Sequence, residues 1–228
     1  FFFKQKTAYE ILTCDWSSDV CSSDLFAFSR YFLPYKGASN GKAIAIPKGI
    51  VTLFGVLAVI SFLGEGGMMD WSGVFLTEAK GVDLSLAGVG YAVFSAAMLI
   101  GRLIGDKVVQ KLGEQRVVIF GGIVASVGYI ISIVFDNFFM MQFGFILLGF
   151  GAANIVPVVF TLLGRQKEMP INSAVTAVTS MGYLGVMFGP ALLGFIAHGI
   201  GIVAVFCILA GMFILQAIVS SYVFKVLN

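Results

Sequence analysis

The feature that most constrains this chain is the recurrence, from residue 48 onward, of apolar runs long enough to cross a bilayer. A hydrocarbon core of about 30 Å needs roughly 20 helical residues at 1.5 Å each, and runs of that length recur with few charges inside them. Only 11% of the 228 residues are charged, less than half the ~25% of a soluble domain, so the chain cannot cover a water-facing surface. No alternating ten-residue pattern is present, which excludes an outer-membrane barrel. The predicted fold class is an all-α integral membrane protein.

Six transmembrane helices are predicted, at about 48–70, 86–106, 116–135, 138–164, 172–197 and 201–225. Lys and Arg between them fall on one side. Arg30, Lys36, Lys42 and Lys48 precede the first span, and Arg102, Lys107, Lys111 and Arg116 lie at the second link. Arg165 and Lys167 lie at the fourth, and Lys225 at the tail. The opposite side holds Lys80 beside Asp83 and Asp136. By the positive-inside rule both termini are cytoplasmic and the protein is multi-pass in the cytoplasmic (inner) membrane.

Polar residues inside such spans are costly and point to function. In the first span, FLGEGGMMDWSGVFL places Glu65 about two-thirds of the way across, among Gly64, Gly66 and Gly67. A glycine-broken helix carrying an acid is a common way to build a transporter site. Glu65 either faces a cavity or marks an interfacial end with Trp71 as an aromatic anchor, and Asp70 and Glu78 read as interfacial. The second link, GRLIGDKVVQKLGEQR, sets Gly101 and Gly105 one turn apart, followed by Asp106 and Lys107 at the membrane surface. It is either a gate element or an ordinary helix-ending loop.

The fourth span reads GFGAANIVPVVFTLLGR. Pro157 removes a backbone donor and frees a carbonyl beside Asn154, predicting a kink with a polar spot that serves either solute or packing. In the fifth, Gly185 and Gly189 form a small-residue face followed by Pro190, predicting a tight crossing with a bend. Its first half is polar, through Asn172, Ser173, Thr176, Thr179, Ser180 and Tyr183, lining a cavity or bonding within the bundle. His198 reads as interfacial. The first and fourth spans correspond if the six helices are two inverted three-helix repeats, and both have interrupted, polar-marked centres.

EGGMMDWSGVFL, the GDK loop, NIVP and GYLGVMFGPALLGF, in this order, resemble the C-terminal six-helix half of a major facilitator superfamily transporter, in a bacterial branch allied to the fucose-permease group. The resemblance covers about residues 30–225. It implies half of a twelve-helix fold, with solute bound between two halves and alternating access by rocking. It implies a cytoplasmic gate motif at Gly101, Arg102, Gly105, Asp106 and Lys107, in which Asp106 bonds a helix N-terminus and nearby Arg. The usual glycine and basic pair further on are blurred here into Gln110, Lys111, Leu112 and Gly113.

Residues 1–25, FFFKQKTAYEILTCDWSSDVCSSDL, differ from everything after them, with six Ser or Thr, four acids and two Cys. KQKTAYE and DWSSDVCSSDL back-translate into what looks like the constant blocks of a sequencing adapter. The expectation is that residues 1–25 are artefactual, 26–47 an interdomain cytoplasmic linker, and 48–228 the six-helix bundle. Twelve basic and eight acidic residues then remain, for a net charge of +4.

The function expected is a fragment of a secondary active transporter for a small solute, with H+ as a coupling ion. Glu65, Asn154, Tyr183 and Tyr91 are the cavity candidates, and the missing N-terminal half and the lipid bilayer are the partners. The alternative is a complete six-helix protein acting as a channel or assembly subunit. An enzyme is not expected, because the single His198 has no catalytic partner nearby. No cofactor, metal or nucleic acid is expected, and Cys207, alone in an apolar run, offers no disulfide or metal framework.

Overall fold

In the computed structural model, residues 46–227 are described; the segments expected to be an adapter remnant and most of a linker lie outside them. The described residues are helical: α1 Ile50–Val74, α2 Val89–Leu112, α3 Glu114–Val134, α4 Phe138–Ala152, α5 Ile155–Leu163, α6 Ile171–Ile200 and α7 Ile202–Leu227. A π-helical turn, Phe75–Ala79, extends α1, and a 3-10 turn, Leu84–Leu86, precedes α2. With α4 and α5 forming one span, six stretches are long and apolar enough to cross a membrane.

The links are short. α2 passes into α3 through Gly113 (φ 84°) and α6 into α7 through Gly201 (φ 93°). Each is a one-residue reversal in a backbone region that residues with a Cβ rarely adopt. Asn137 opens α4, its side-chain oxygen accepting from the amides of Phe139 and Met140 at 2.9 and 3.3 Å. At the same end of the bundle, here the distal end, the Lys80 ammonium donates to the Ile133 carbonyl (2.7 Å) and to Asp136 (2.6 Å), closing the C-terminus of α3 with a cation.

Lipid tails are as apolar as leucine, so helices in a membrane associate by close packing rather than by expelling water. The principal contacts are α3 with α4 and α7, α1 with α6 and α7, and α2 with α4. Between α3 and α4, Gly121, Ala125 and Gly128 face Gly144, Leu148 and Gly151. A Cβ on Gly128 would stand 2.5 Å from the Gly144 carbonyl oxygen, and one on Gly144 2.6 Å from that of Gly128. A buried polar seam ties α7 to its neighbours. Ser126 of α3 donates to the Ala210 carbonyl at 2.9 Å, and Gln216 donates to Ser61 of α1 at 3.0 Å.

Two expectations are corrected. The glycines around Glu65 do not break α1, which runs unbroken from Ile50 to Val74. Gly64 and Gly67 are filled from α7 by Phe213 and Leu209, and this packing offsets the ~1 kcal/mol that each glycine costs a helix. The first span also continues past residue 70 to Ala79. In the fourth span the helix breaks at Ala153–Asn154, at the carbonyl that Pro157 was expected to free, and Pro157 itself sits in the first turn of α5. Proline is tolerated there because the first amides of a helix have no partner within it.

Candidate functional site

Glu65 lies on α1 where three helices meet. Its Oε2 accepts from the Arg102 guanidinium of α2 at 3.4 Å, with the Glu65 side chain 19% exposed and that of Arg102 41%. Its Oε1 is buried and has no hydrogen-bond partner among the described residues. At the preceding residue, the buried hydroxyl of Tyr129 on α3 donates to the Gly64 carbonyl at 2.9 Å. The Tyr129 ring is held edge-on to Phe206 (5.4 Å between centroids) and against Phe213 (6.1 Å). Glu65 is thus attached to α2 through its side chain, and to α3 through the backbone beside it.

Arg102 was expected to serve the gate motif with Asp106, and in this structure its ion pair is with Glu65. Asp106 and Lys107 are exposed at the end of α2. The contact expected of Asp106, a carboxylate on a helix N-terminus, is made by Glu168. Its Oε2 accepts from the Ile50 amide at 3.0 Å, at the start of α1. Gly49 (φ 53°) leaves the room, since any Cβ there would collide with the Glu168 carboxylate. Gln166 shapes the loop by accepting from the amides of Glu168 and Met169, each at 2.9 Å, and Arg165 pairs with Glu114 of α3 at 2.7 Å. Nothing local marks Glu168 for this role, because its partner is 118 residues away.

Asn154 sits at the break between α4 and α5 and faces the glycines of the gate motif. Its amide donates to the Gly101 carbonyl at 3.1 Å, and its oxygen occupies the space that a Cβ on Gly105 would need. Two motifs far apart in sequence therefore form one helix crossing. Gly185 and Gly189 lie over Val59 and Leu63 of α1, with Pro190 beside them in α6. Tyr183 is about half exposed and stacks on Phe62 at 6.2 Å.

Tyr91 stands apart from Glu65. It lines a cleft of about 410 Å³ at the distal end, with Asp70, Ser72 and Thr77 of the first span. Asp70 also borders a smaller cleft of about 160 Å³ between α1 and α6, beside Phe62, Gly66 and Pro190. Asp70 therefore opens onto both clefts. Trp71 packs on Gly194 of α6, and His198 is exposed in the last turn of α6. No group of three or more His, Cys, Asp or Glu able to hold a metal occurs among the described residues.

Six apolar spans joined by short links, two of them one-residue reversals, with an ion pair between the first two, define a multi-pass helical membrane protein. Residues 49–227 match the model of the Major Facilitator Superfamily, and the chain belongs to that family. An uncharacterised MFS-type transporter of Yersinia pestis is 46% identical over 159 residues, 70% of this chain and 41% of that protein. Membrane protein MosC of Rhizobium meliloti is 30% identical over 150 residues, 66% of this chain and 37% of that protein. The chain spans about two-fifths of the length of these relatives. A chain from the crystal structure of tetrameric PepTSo2 shares the fold, with a TM-score of 0.60 over 78% of this chain and 40% of that one, at 19% identity.

Proposed function

We propose that this chain is the C-terminal six-helix half of a secondary active transporter that moves a small solute by alternating access, coupled to protons through Glu65. Residues 1–25 are then foreign to it, 26–47 are the linker to an N-terminal half, and both termini face the cytoplasm of a bacterial inner membrane. The family match and the transporter relative support the class. The resemblance of its motifs supports the fucose-permease-like branch.

One observation carries the coupling assignment: Glu65 holds α2 through Arg102 with one oxygen while its other oxygen is buried without a hydrogen-bond partner among the described residues. The charge of a carboxylate in this position can be balanced by Arg102 or removed by a proton. Protonation removes the attraction between α1 and α2, so proton binding and helix packing become linked. Arg102, released, lies one helical turn from Asp106, within reach of the gate motif. Tyr183 and Tyr91 contribute polar contacts along the solute path, and Asn154 takes the packing alternative, fixing the crossing of α2 with the α4–α5 break.

The test is proton influx into liposomes holding the uninterrupted parent, read with a pH dye in the lumen as solutes are added. Glu65→Gln should abolish solute-driven proton influx while solute exchange across the membrane persists. Proton influx equal to that of the unaltered protein would refute the assignment. Genomic reads across Phe26 test the half-transporter reading: six further helices upstream and in frame are expected, and an uninterrupted start near residue 1 would reject it.

A further inference from the structure

α1 carries a second carboxylate whose surroundings differ from those of Glu65. Asp70 is five residues further on, about 140° around the helix and about 7.5 Å along it. It is exposed where the two clefts meet, with Met69 bordering both. Among the described residues on the walls of either cleft, Asp70 carries the only charge, and it has no ion pair. Tyr91 and Thr77 also line the larger cleft. Phe62 lies on the wall of the smaller one.

A carboxylate kept in an otherwise uncharged, half-apolar cleft attracts cations and repels anions. Thr77 adds a hydroxyl, though its hydrogen is directed to the Gly73 carbonyl at 3.0 Å, leaving an acceptor oxygen. Acceptor oxygens beside an aromatic face and a thioether suit an ammonium group attached to an apolar body: the charge meets Asp70, and the carbon skeleton meets Met69 and Tyr91. A bare divalent metal is poorly served, since it needs six or more oxygen ligands and the walls offer a single carboxylate. We infer that the clefts meeting at Asp70 form a recognition site for a small organic solute bearing a protonated amine. This rests on the transporter reading and names the class of solute.

The site is tested by equilibrium binding, which requires no transport. The uninterrupted parent is reconstituted in phosphatidylcholine nanodiscs and titrated by calorimetry. The probes are n-butylammonium, n-butanol and n-butyrate, which share a carbon chain and differ in charge. Saturable binding of n-butylammonium alone is expected, weakened at least about tenfold by Asp70→Asn, as loss of a charged contact would do. Asp70→Glu should retain it within about threefold, which guards against a folding defect in the Asn variant. Equal binding of n-butanol, competition by sodium chloride as effective as by n-butylammonium, or undiminished binding in Asp70→Asn would each overturn the site. Binding with these properties in a protein whose Glu65→Gln variant still couples protons would refute only the coupling assignment. Proton coupling without ammonium binding would refute only this site.

Discussion

Glu65 and Asp70 are two acids on one helix, and the fold treats them oppositely. Glu65 points into the bundle, where Arg102 answers one oxygen and Tyr129 fixes the neighbouring carbonyl. Asp70 points into open clefts and is answered by no cation among the described residues. The difference follows from helical geometry: a five-residue step rotates a side chain far enough to exchange a packed neighbour for open space. An acid in a membrane helix therefore has no fixed role, and what its helix face meets decides the role. On this reading Glu65 is a mechanical element joining α1 to α2, while Asp70 is a contact available to something from outside.

The largest effect on this comparison is expected from Arg102→Leu, which leaves Glu65 charged and unanswered in a mostly buried position. Removing one partner of an ion pair costs more than the pair itself contributes, because the remaining charge stays desolvated. Arg102 is partly exposed, so the loss should be about 2 kcal/mol rather than the 3–5 kcal/mol of a fully buried pair. Thermal unfolding in detergent would measure it. Adding Glu65→Gln should restore most of the loss, because the stranded charge disappears with it; two losses that simply add would show that the residues are not coupled.

A smaller effect is expected from Tyr129→Phe, which keeps the ring between Phe206 and Phe213 and deletes only the hydroxyl that reaches Gly64. A hydrogen bond of this kind contributes about 1 kcal/mol net. The same unfolding assay should show a loss of that size. Ammonium binding at Asp70 should be unaltered, since Tyr129 is not on the wall of either cleft. A Tyr129→Phe variant with weakened ammonium binding would mean that the two acids do not act independently.

The six spans were legible because bilayer thickness sets a length and composition that a single sequence displays. The polarity of Glu65, Asn154 and Tyr183 was legible as well, since polar residues stand out in apolar runs. Their partners were not. Arg102 carried every mark of a surface cation near the gate motif, yet a long side chain on the facing helix reaches Glu65. Asn154 resembled a cavity residue, and only the crossing of α2 with the α4–α5 break shows its amide bonded to Gly101. Glu168 left no local trace of its place at the start of α1. Periodicity and hydropathy report how one helix meets its surroundings; which residue of another helix lies opposite depends on crossings set by glycines such as Gly128 and Gly144.

The smallest effect is expected from Asp70→Asn on stability. Asp70 makes no ion pair among the described residues, is exposed, and borders two clefts, so replacing its charged oxygen with an amide removes no ion pair there. Exposed substitutions of this kind fall within about 0.5 kcal/mol of zero. The unfolding temperature should therefore stay close to that of the unaltered chain, in contrast with Arg102→Leu. A loss near 2 kcal/mol would mean that Asp70 braces the fold as Glu65 does, and the division of α1 into a packed acid and an open one would fail. With stability unchanged, any loss of ammonium binding in Asp70→Asn can be assigned to the carboxylate itself, because the clefts around it would still be intact.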